Sequence, residues 1–391
     1  MDPVGLFGAE QVARASSYHR PLYAAAIAQL ALSLLLLALI VFGPLGGRLF
    51  APLEGWPWWA QVVGFTALLD ALATAVGLPI SFWTGFVRER RWGFSTQDLR
   101  GFAADHAKAF VLGLGLSSAA FLGLVGSARL LPRLWPLAAA TAGAALVLAL
   151  GFLAPLFIEP LFNRFLPLED AGLAAELRAL ADRAQAPITE VLVADASRRT
   201  RKTNAYVSGL GRSQRLVLYD TLLTQATAPE IGLVLAHELG HRRARHLIKG
   251  TLLGMVGLAG FVLLLWAPLL WPDLRTAIGA PGGADDPRVV PFILLLAAAV
   301  QIPASPFGAA LSRRWEREAD RFSLELTHDL ATFEATHRSL ATANLSDLDP
   351  PRPIYLAFFS HPTPVERIEA ARRDTRSRSG SSVTTEGSAT D

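Results

Sequence analysis

Residues 237–241 read His-Glu-Leu-Gly-His, and this pentapeptide directs the interpretation of the rest of the chain. On a helix, positions i and i+4 share one face, so the imidazoles of His237 and His241 can bind one metal ion. Glu238 lies beside them, where its carboxylate can take a proton from a water that the metal activates. The preceding segment, 228–236, reads as a helix start with Pro229 near its first position, followed by apolar residues.

Two histidines and a carboxylate at this spacing are typical of a zinc peptidase. The alternative is a pair of surface histidines on an amphipathic helix. The chain contains no cysteine, so thiol ligands and disulfides are excluded, and any Zn²⁺ must be bound by histidines and carboxylates.

The composition predicts an integral membrane protein. The chain is 52% hydrophobic with a mean hydropathy of +0.35, which is too apolar for an ordinary soluble protein of this length. Six runs are long enough to cross a lipid bilayer: 22–46, 57–84, 107–131, 135–158, 247–271 and 289–311. The first run is too long for a signal-peptide core, so we expect it to be retained. The formal charge of +3 is spread over loops, and no nucleic-acid partner is expected.

Basic residues near the span ends predict the orientation. They are concentrated between spans two and three and after span four, whereas the opposite loops hold few and offset some of them with aspartates. We therefore expect both termini and the large polar region to be cytoplasmic. The fold class predicted is a mainly α, polytopic membrane helix bundle or barrel with a small α+β metallopeptidase domain on the cytoplasmic side.

The chain divides into five predicted segments. Residues 1–163 carry four spans, 164–246 form the α+β segment with the HExxH helix, and 247–311 are a two-span hairpin. Residues 312–375 supply further helices, and 376–391, rich in Ser, Thr and Gly, are expected to be disordered. Within the α+β segment we expect a helix over 171–185 and strands over 188–194, 203–208 and 214–219, forming an antiparallel sheet against the HExxH helix.

A third ligand can be sought from topology, because a catalytic zinc usually takes three protein ligands and a water. The HExxH helix precedes span five, so the hairpin returns the chain to the same side near residue 312. Glu316 and Asp320 share a helix face there, where Glu316 could bind the metal and Asp320 could accept a hydrogen bond from a ligating imidazole. The alternative is a solvated charged helix. Glu318 is expected to face away from the metal.

At this point the sequence resembles the Ste24-type membrane zinc endopeptidases, the CAAX prenyl protease type 1 family. The resemblance covers nearly the whole chain before the tail. The matching segments are His237-Glu-Leu-Gly-His241, Glu316-Arg-Glu-Ala-Asp320, Asn204-Ala-Tyr-Val-Ser-Gly209, 215–223, Ser360-His361-Pro and its continuation to 368, 78–82 and 85–94.

The resemblance implies a barrel of membrane helices around a water-filled chamber, with peptide-bond hydrolysis inside. It implies that Glu316 is the third zinc ligand, that His361 donates to the oxyanion and that Arg367 supports it. Substrates would be prenylated C-terminal peptides, or damaged membrane proteins as in related heat-shock proteases. Eukaryotic members have seven spans and six are found here, with the shortage expected near the N-terminus.

The remaining polar residues receive individual predictions. The segment Asn204, Ala205 and Tyr206 is expected at a sheet edge that an extended substrate could join, although Asn204 could equally be a turn residue. Asp70 and Glu159 lie in or at the ends of apolar spans, where they could line the chamber or form buried ion pairs. His246 is off the ligand face at i+5 from His241. The remaining unassigned histidines are expected at the surface: His19, His106, His328 and His337.

Two other functions compete with the peptidase interpretation. A membrane scaffold or binding protein with a decayed site would lack a ligand or the base, and both are present here. An intramembrane protease of the site-2 type needs its HExxH within a span, whereas Arg242, Arg243 and Arg245 follow this motif directly.

Overall fold

The computed structural model describes residues 2–186, 188–208 and 215–383. Within these ranges six helices are long and apolar enough to cross a membrane, and each overlaps one predicted span. The helices are α1 (Pro3–Phe7), α2 (Ala9–Phe42), α3 (Leu45–Phe50), α4 (Trp58–Phe82), α5 (Glu89–Arg91), α6 (Leu99–Leu130), α7 (Trp135–Leu153), α8 (Glu159–Phe162), α9 (Ala171–Arg183), α10 (Asp220–Gln225), α11 (Ala228–Arg243), α12 (His246–Trp266), α13 (Pro272–Ala277), α14 (Val290–Thr327), α15 (Leu330–Ala343), α16 (Arg352–Phe358) and α17 (Pro364–Val383). Two π-helical segments, Trp83–Arg88 and Ala154–Ile158, continue α4 and α7.

The membrane helices pack together mainly at the end away from the HExxH motif. One apolar cluster joins the last turns of α2, α6 and α12 to the first turns of α4, α7 and α14, with Val41, Phe65, Val125, Leu265 and Val290 among its members. Successive helices therefore run in opposite directions. The connections 43–57, 131–134 and 267–289 lie at this end, and the polar segments lie at the other.

Side chains on the outer faces of these helices are apolar and exposed, as lipid contact requires. Leu35, Leu39, Val256 and Leu263 each expose half or more of their surface. In water this would be unfavourable, at roughly 25 cal/mol per Å² of apolar area. The exposed faces therefore support the interpretation of these helices as membrane spans.

The polar segment folds into a four-stranded sheet in the order β1 (Phe165–Pro167), β2 (Glu190–Ala194), β4 (Arg215–Tyr219) and β3 (Ala205–Ser208). The prediction of an antiparallel sheet is wrong for the central pair, because β2 and β4 are parallel. In β4, Leu216, Val217 and Leu218 are all fully buried. A strand that is covered on both faces belongs at the centre of a sheet. This leaves β3 at an edge, as predicted; the predicted first residue of β4, Gln214, lies outside the described residues.

Helix α11, which carries the HExxH motif, packs on this sheet. Thr227 and Glu230 form a capping box at its first turn, with Thr227 accepting from the N3 amide and Glu230 accepting from the Thr227 amide. Leu235 and Leu239 of α11 are fully buried against Leu177 of α9 and Leu218 of β4. The motif therefore lies in a helix with its own apolar core, and the next membrane helix begins only at His246.

The C-terminal helices close over α11 on the same side. Leu6, Phe7 and Val12 from the first two helices pack against Ala341 and Val365, so the two ends of the described chain lie on the side of the HExxH motif. Helix α17 ends at Val383, inside the segment 376–391 that the sequence predicts to be disordered. The rest of that segment lies outside the described residues.

Candidate active site

Three side chains from two helices converge on one point. The Nε2 atoms of His237 and His241 on α11 are 3.2 Å apart. Glu316 on α14 presents its two oxygens to them, with Oε2 3.3 Å from His237 Nε2 and Oε1 3.2 Å from His241 Nε2. These three residues form a possible metal-binding group, as the sequence predicts. The arrangement arises because α14 returns antiparallel to α12 and packs against α11.

The residues present fit a zinc ion. Two imidazole nitrogens and one carboxylate are the ligand types of catalytic zinc sites. Glu316 is 5% exposed, and its Oε2 atom receives no hydrogen bond from any described residue. A buried carboxylate oxygen without a donor is costly, since burial removes its hydration without replacement. A bound cation would remove that cost.

Asp320 lies one turn beyond Glu316 and holds the first histidine. Its Oδ1 atom is 2.9 Å from His237 Nδ1. Arg367 of α17 pairs with the same carboxylate, with Nε donating to Oδ2 at 2.8 Å. The guanidinium nitrogen Nη2 also lies 3.2 Å from His237 Nδ1. If Nε2 of His237 binds the metal, Nδ1 carries the proton, so it donates to Asp320 and cannot accept from Arg367.

The surroundings of His237 favour positive charge. Burial lowers the pKa of its imidazole, but the Asp320 and Glu316 carboxylates close to its two nitrogens outweigh that effect and raise the pKa to about 9. The same carboxylates would stabilise a divalent cation at this point. A proton bound to a ligand competes with a metal, so the histidine must be deprotonated at Nε2 when a metal binds.

Glu238 and His361 face the same cavity as the three converging residues. This cavity has a volume of about 860 Å³, and both side chains line it. His361 Nε2 is 3.4 Å from Glu316 Oε1, and its Nδ1 is 2.8 Å from the Ser360 hydroxyl. The structure therefore brings the predicted base and the predicted oxyanion donor to the group that could hold the metal.

The predicted substrate-binding segment divides between two environments. Asn204 and Ala205 line the cavity. The Asn204 carbonyl accepts from the Tyr219 amide at 3.0 Å, which fixes the start of the β3–β4 pairing. The Tyr206 hydroxyl instead lies 3.3 Å from Glu159, and the same carboxylate accepts from Ser208 at 2.8 Å.

The two ionisable span residues singled out by the sequence, Asp70 and Glu159, each have a polar partner. Glu159 lies 3.6 Å from Arg215 of β4, in addition to its contacts with β3. This ion pair is half-buried and reaches the sheet, so it is not the buried ion pair within the bundle that the sequence left as one of two alternatives. Asp70 accepts a hydrogen bond of 3.0 Å from Ser117 on the neighbouring membrane helix α6.

Three histidines lie near the site although the sequence did not place them there. His337 is 8% exposed, so the prediction of a surface position is wrong; it packs 4.3 Å from the Phe333 ring and lines the cavity. Burial holds the pKa of His337 well below its usual range. The spacing of Phe333, His337 and Ala341 could have indicated a buried helix face.

The other histidines predicted at the surface differ in their exposure. His19 is half-buried and also lines the cavity, whereas His106 and His328 are exposed as predicted.

His246 is the third, and it contacts His241. Its Nδ1 atom is 3.0 Å from His241 Nδ1, and its Nε2 atom is 3.3 Å from Glu318. The expectation that His246 stands apart from the site is wrong. It assumed one continuous helix from His241 to His246, whereas α11 ends before His246 and α12 begins there. Glu318 points away from the converging residues, as expected, but it contacts His246.

Comparison with known proteins identifies the family of this chain. The sequence model of peptidase family M48 matches residues 167–375. The chain belongs to peptidase family M48. A second model, described as CAAX prenyl protease N-terminal with five membrane helices, matches residues 5–164, where the described chain has four spanning helices.

The similar proteins include several that are named as proteases. The uncharacterized metalloprotease YhfN of Bacillus subtilis is 32% identical, over 80% of this chain and 74% of that protein. CAAX prenyl protease 1 of Saccharomyces cerevisiae is 29% identical, over 80% of this chain and 72% of that protein. The crystal structure of Ste24p from S. mikatae has a TM-score of 0.78 and 25% identity, covering 93% of this chain and 88% of that one.

The M48 family assignment shows a multi-pass membrane protein and a zinc metalloendopeptidase. It confirms the predicted fold class, and nothing in the comparisons favours a scaffold with a decayed site. The N-terminal position of the missing span and the chamber between the spans remain predictions for this chain.

Proposed function

We propose that this M48 endopeptidase binds one Zn²⁺ through Nε2 of His237, Nε2 of His241 and the Glu316 carboxylate. The observation that carries the proposal is the convergence of these atoms at 3.2–3.3 Å around a buried carboxylate oxygen that has no donor among the described residues. When bound, zinc would act as a Lewis acid and lower the pKa of a coordinated water from about 15.7 to about 7.

The side chains around this point would perform the proton transfers. Glu238 would take the proton of the attacking water and give it to the leaving amine. His361 would donate a hydrogen bond to the oxygen of the scissile carbonyl as it becomes negative. Arg367 would hold Asp320, and Asp320 would keep His237 in the tautomer that leaves Nε2 free for the metal.

The substrate would bind as an extended strand along the free edge of β3. Ladder bonds alternate in an antiparallel pair, and the Asn204 carbonyl bonds to β4. The main-chain groups of Ala205 and Val207 therefore point to the open edge, where a peptide can pair with them. The Asn204 side chain accepts from the Ala205 amide at 3.0 Å and would have to yield to a substrate carbonyl.

The substrates proposed are peptide or protein segments presented at the membrane surface. The names of the relatives support C-terminal prenylated peptides of the CAAX type, and segments of damaged membrane proteins are the alternative. We propose that the catalytic domain and both termini are cytoplasmic, which the distribution of basic residues supports.

Product mapping by mass spectrometry tests this function. The purified, zinc-loaded protein in lipid nanodiscs is given a farnesylated CAAX peptide, its unmodified counterpart and an unrelated transmembrane peptide. Cleavage that depends on zinc and on Glu238 supports the peptidase assignment. Preference for the farnesylated peptide supports the first substrate class, whereas equal cleavage of all three supports the second. Absence of cleavage of any peptide would contradict the proposal.

A further inference from the structure

His246 is enclosed at the foot of the first membrane helix after the motif. It is 4% exposed, and its ring stacks on Trp315 of α14 with a centroid distance of 4.9 Å and an interplanar angle of 14°. The stacking fixes the ring plane, so its two nitrogens point in set directions. Nδ1 points to His241, and Nε2 points to Glu318.

A break between two helices creates this geometry. Helix α11 ends at Arg243, and Arg245 adopts a left-handed conformation with φ 55° and ψ 36° before α12 begins. A residue with a side chain rarely adopts this conformation, because its Cβ atom comes too close to the following carbonyl oxygen. On a continuous helix, His246 would be about 500° of rotation from His241, which places it off the ligand face. The left-handed residue turns the chain, so His246 comes back under His241.

The direction of the hydrogen bonds follows from the proposed metal role. If Nε2 of His241 binds the metal, the only proton of that neutral ring is on Nδ1, which must donate. His246 Nδ1 is then the acceptor, and the proton of the His246 ring is on Nε2. That N–H points to Glu318, 3.3 Å away, which can only accept. Each of the two imidazole rings therefore has one tautomer that is consistent with its contacts.

We infer that His246 is a positioning residue for the metal ligand His241, and that Glu318 holds His246 in the required tautomer. The inference rests on the proposed zinc-binding role of His241. His246 would support His241 in the same way that Asp320 supports His237. His237 donates directly to a carboxylate, whereas His241 reaches its carboxylate through a second imidazole. Partners of this kind orient a ligating ring and increase its basicity.

Zinc affinity of the full-length protein in detergent tests the inference independently of catalysis. Metal-free protein competes for Zn²⁺ with a fluorescent chelator, and the apparent Kd is measured for each variant. His246→Phe keeps a ring that can stack on Trp315 but has no acceptor, so we expect a Kd that is roughly 10- to 100-fold weaker. His246→Asn places an amide oxygen near the position of Nδ1, so it should recover most of that loss. A general packing role would give the reverse order, because Asn leaves a larger gap than Phe.

Glu318 provides a second test that does not endanger folding, since its side chain is 52% exposed. Glu318→Ala should weaken zinc binding in the same direction as His246→Phe but by less, on the order of several-fold, because it acts through the intervening ring. Glu325→Ala, two turns further along α14 and also exposed, is the matched control and should leave the Kd unchanged.

Three results would overturn the inference: a wild-type Kd in His246→Phe, a weaker Kd in His246→Asn than in His246→Phe, or equal Kd values in Glu318→Ala and Glu325→Ala. Failure of the wild-type protein to cleave peptides would contradict the proposed function but would leave this affinity series interpretable. If His246→Phe does not fold, as judged by the thermal transition of the metal-free protein, His246→Asn and the Glu318 comparison still decide.

Discussion

Gly240 and Ala319 touch across the two helices that carry the converging residues. A Cβ atom placed on Gly240 would lie 2.9 Å from the Cα atom of Ala319, which is closer than such atoms approach. Gly240 is the fourth residue of the HExxH pentapeptide, and Ala319 precedes Asp320. The two small residues let α14 approach α11 until Glu316 reaches both histidines, so the motif's small residue sets the distance between the helices.

Gly240→Ala should therefore damage the site without removing any functional group. The obstructing atom is backbone, so α14 must move, and overpacking of this kind costs roughly 1–3 kcal/mol. We expect a lower thermal transition and weaker zinc binding. Gly232→Ala on the same helix is the control, because its Cβ would lie 3.9 Å from Leu180 Cδ2, an ordinary contact. Alanine favours helix there by about 1 kcal/mol, so Gly232→Ala should be neutral or stabilising. Equal behaviour of the two variants would contradict the packing argument.

Glu238→Gln should separate metal binding from catalysis. The change removes the proposed base but no proposed ligand, so the zinc content should stay near one ion per chain. Peptide cleavage should fall by at least the roughly 10²–10⁴-fold that general-base catalysis contributes. Metal analysis and initial-rate measurements on the same preparation check both points. A variant that keeps most of its activity would exclude Glu238 as the base.

His361→Ala should lower kcat more than it raises KM, because an oxyanion donor acts mainly in the transition state. Loss of one such donor typically costs about 10²–10³ in kcat. The side chain is 62% exposed, so the substitution should not affect folding. Zinc should stay bound. Loss of the metal from His361→Ala would instead identify His361 as a metal ligand. This is the main alternative role for His361, because its Nε2 atom lies only 3.4 Å from Glu316 Oε1.

The parts of the structure that the sequence predicted are those that depend on local spacing. Hydropathy over about 20 residues finds the spans, and i to i+4 spacing places His237 with His241 and Glu316 with Asp320. The chain returns to the same side of the membrane after two spans, which brings the second pair of residues close to the first. Each step needs only the geometry of a regular helix.

What the sequence did not predict depends on where regular structure is interrupted. The contact of His246 with His241 requires the left-handed turn at Arg245, and an arginine carries no signal for that conformation. The parallel pairing of β2 with β4 depends on burial of β4 on both faces, which its short apolar run does not distinguish from a half-buried strand. The contact of Glu159 with β3 joins residues almost 50 positions apart.

Cysteine labelling can test the orientation of the membrane helices, because the chain contains no cysteine. Ala277 lies in the connection before α14, Ser377 lies in α17, and both are exposed. Ala277→Cys and Ser377→Cys should react with a membrane-impermeant maleimide from opposite sides of sealed vesicles, with Ser377→Cys on the cytoplasmic side. Labelling of both from one side would contradict the two-span hairpin, and the reverse sidedness would contradict only the proposed orientation.

Glu159 lies at the end of a membrane helix and contacts the edge strand β3. We therefore predict that a substitution of Glu159 affects substrate binding. Glu159 accepts from Ser208 at 2.8 Å, lies 3.3 Å from the Tyr206 hydroxyl and pairs with Arg215 at 3.6 Å, so one carboxylate ties β3 and β4 to the end of the fourth span. Glu159→Ala removes all three contacts and should make the edge that we propose receives the substrate less ordered. An extended substrate then has to order the strand as it binds, which raises KM; at about 1 kcal/mol, the expected increase is roughly fivefold. Zinc content and kcat should change little, since none of these contacts involves the converging residues.

Asp70→Asn is the matched control for Glu159→Ala, because this span carboxylate bonds to Ser117 and not to the sheet. The KM of Asp70→Asn should stay at the wild-type value. A Glu159→Ala enzyme with an unchanged KM, or one that loses zinc, would contradict the assignment of β3 as the substrate-binding edge held from the membrane side.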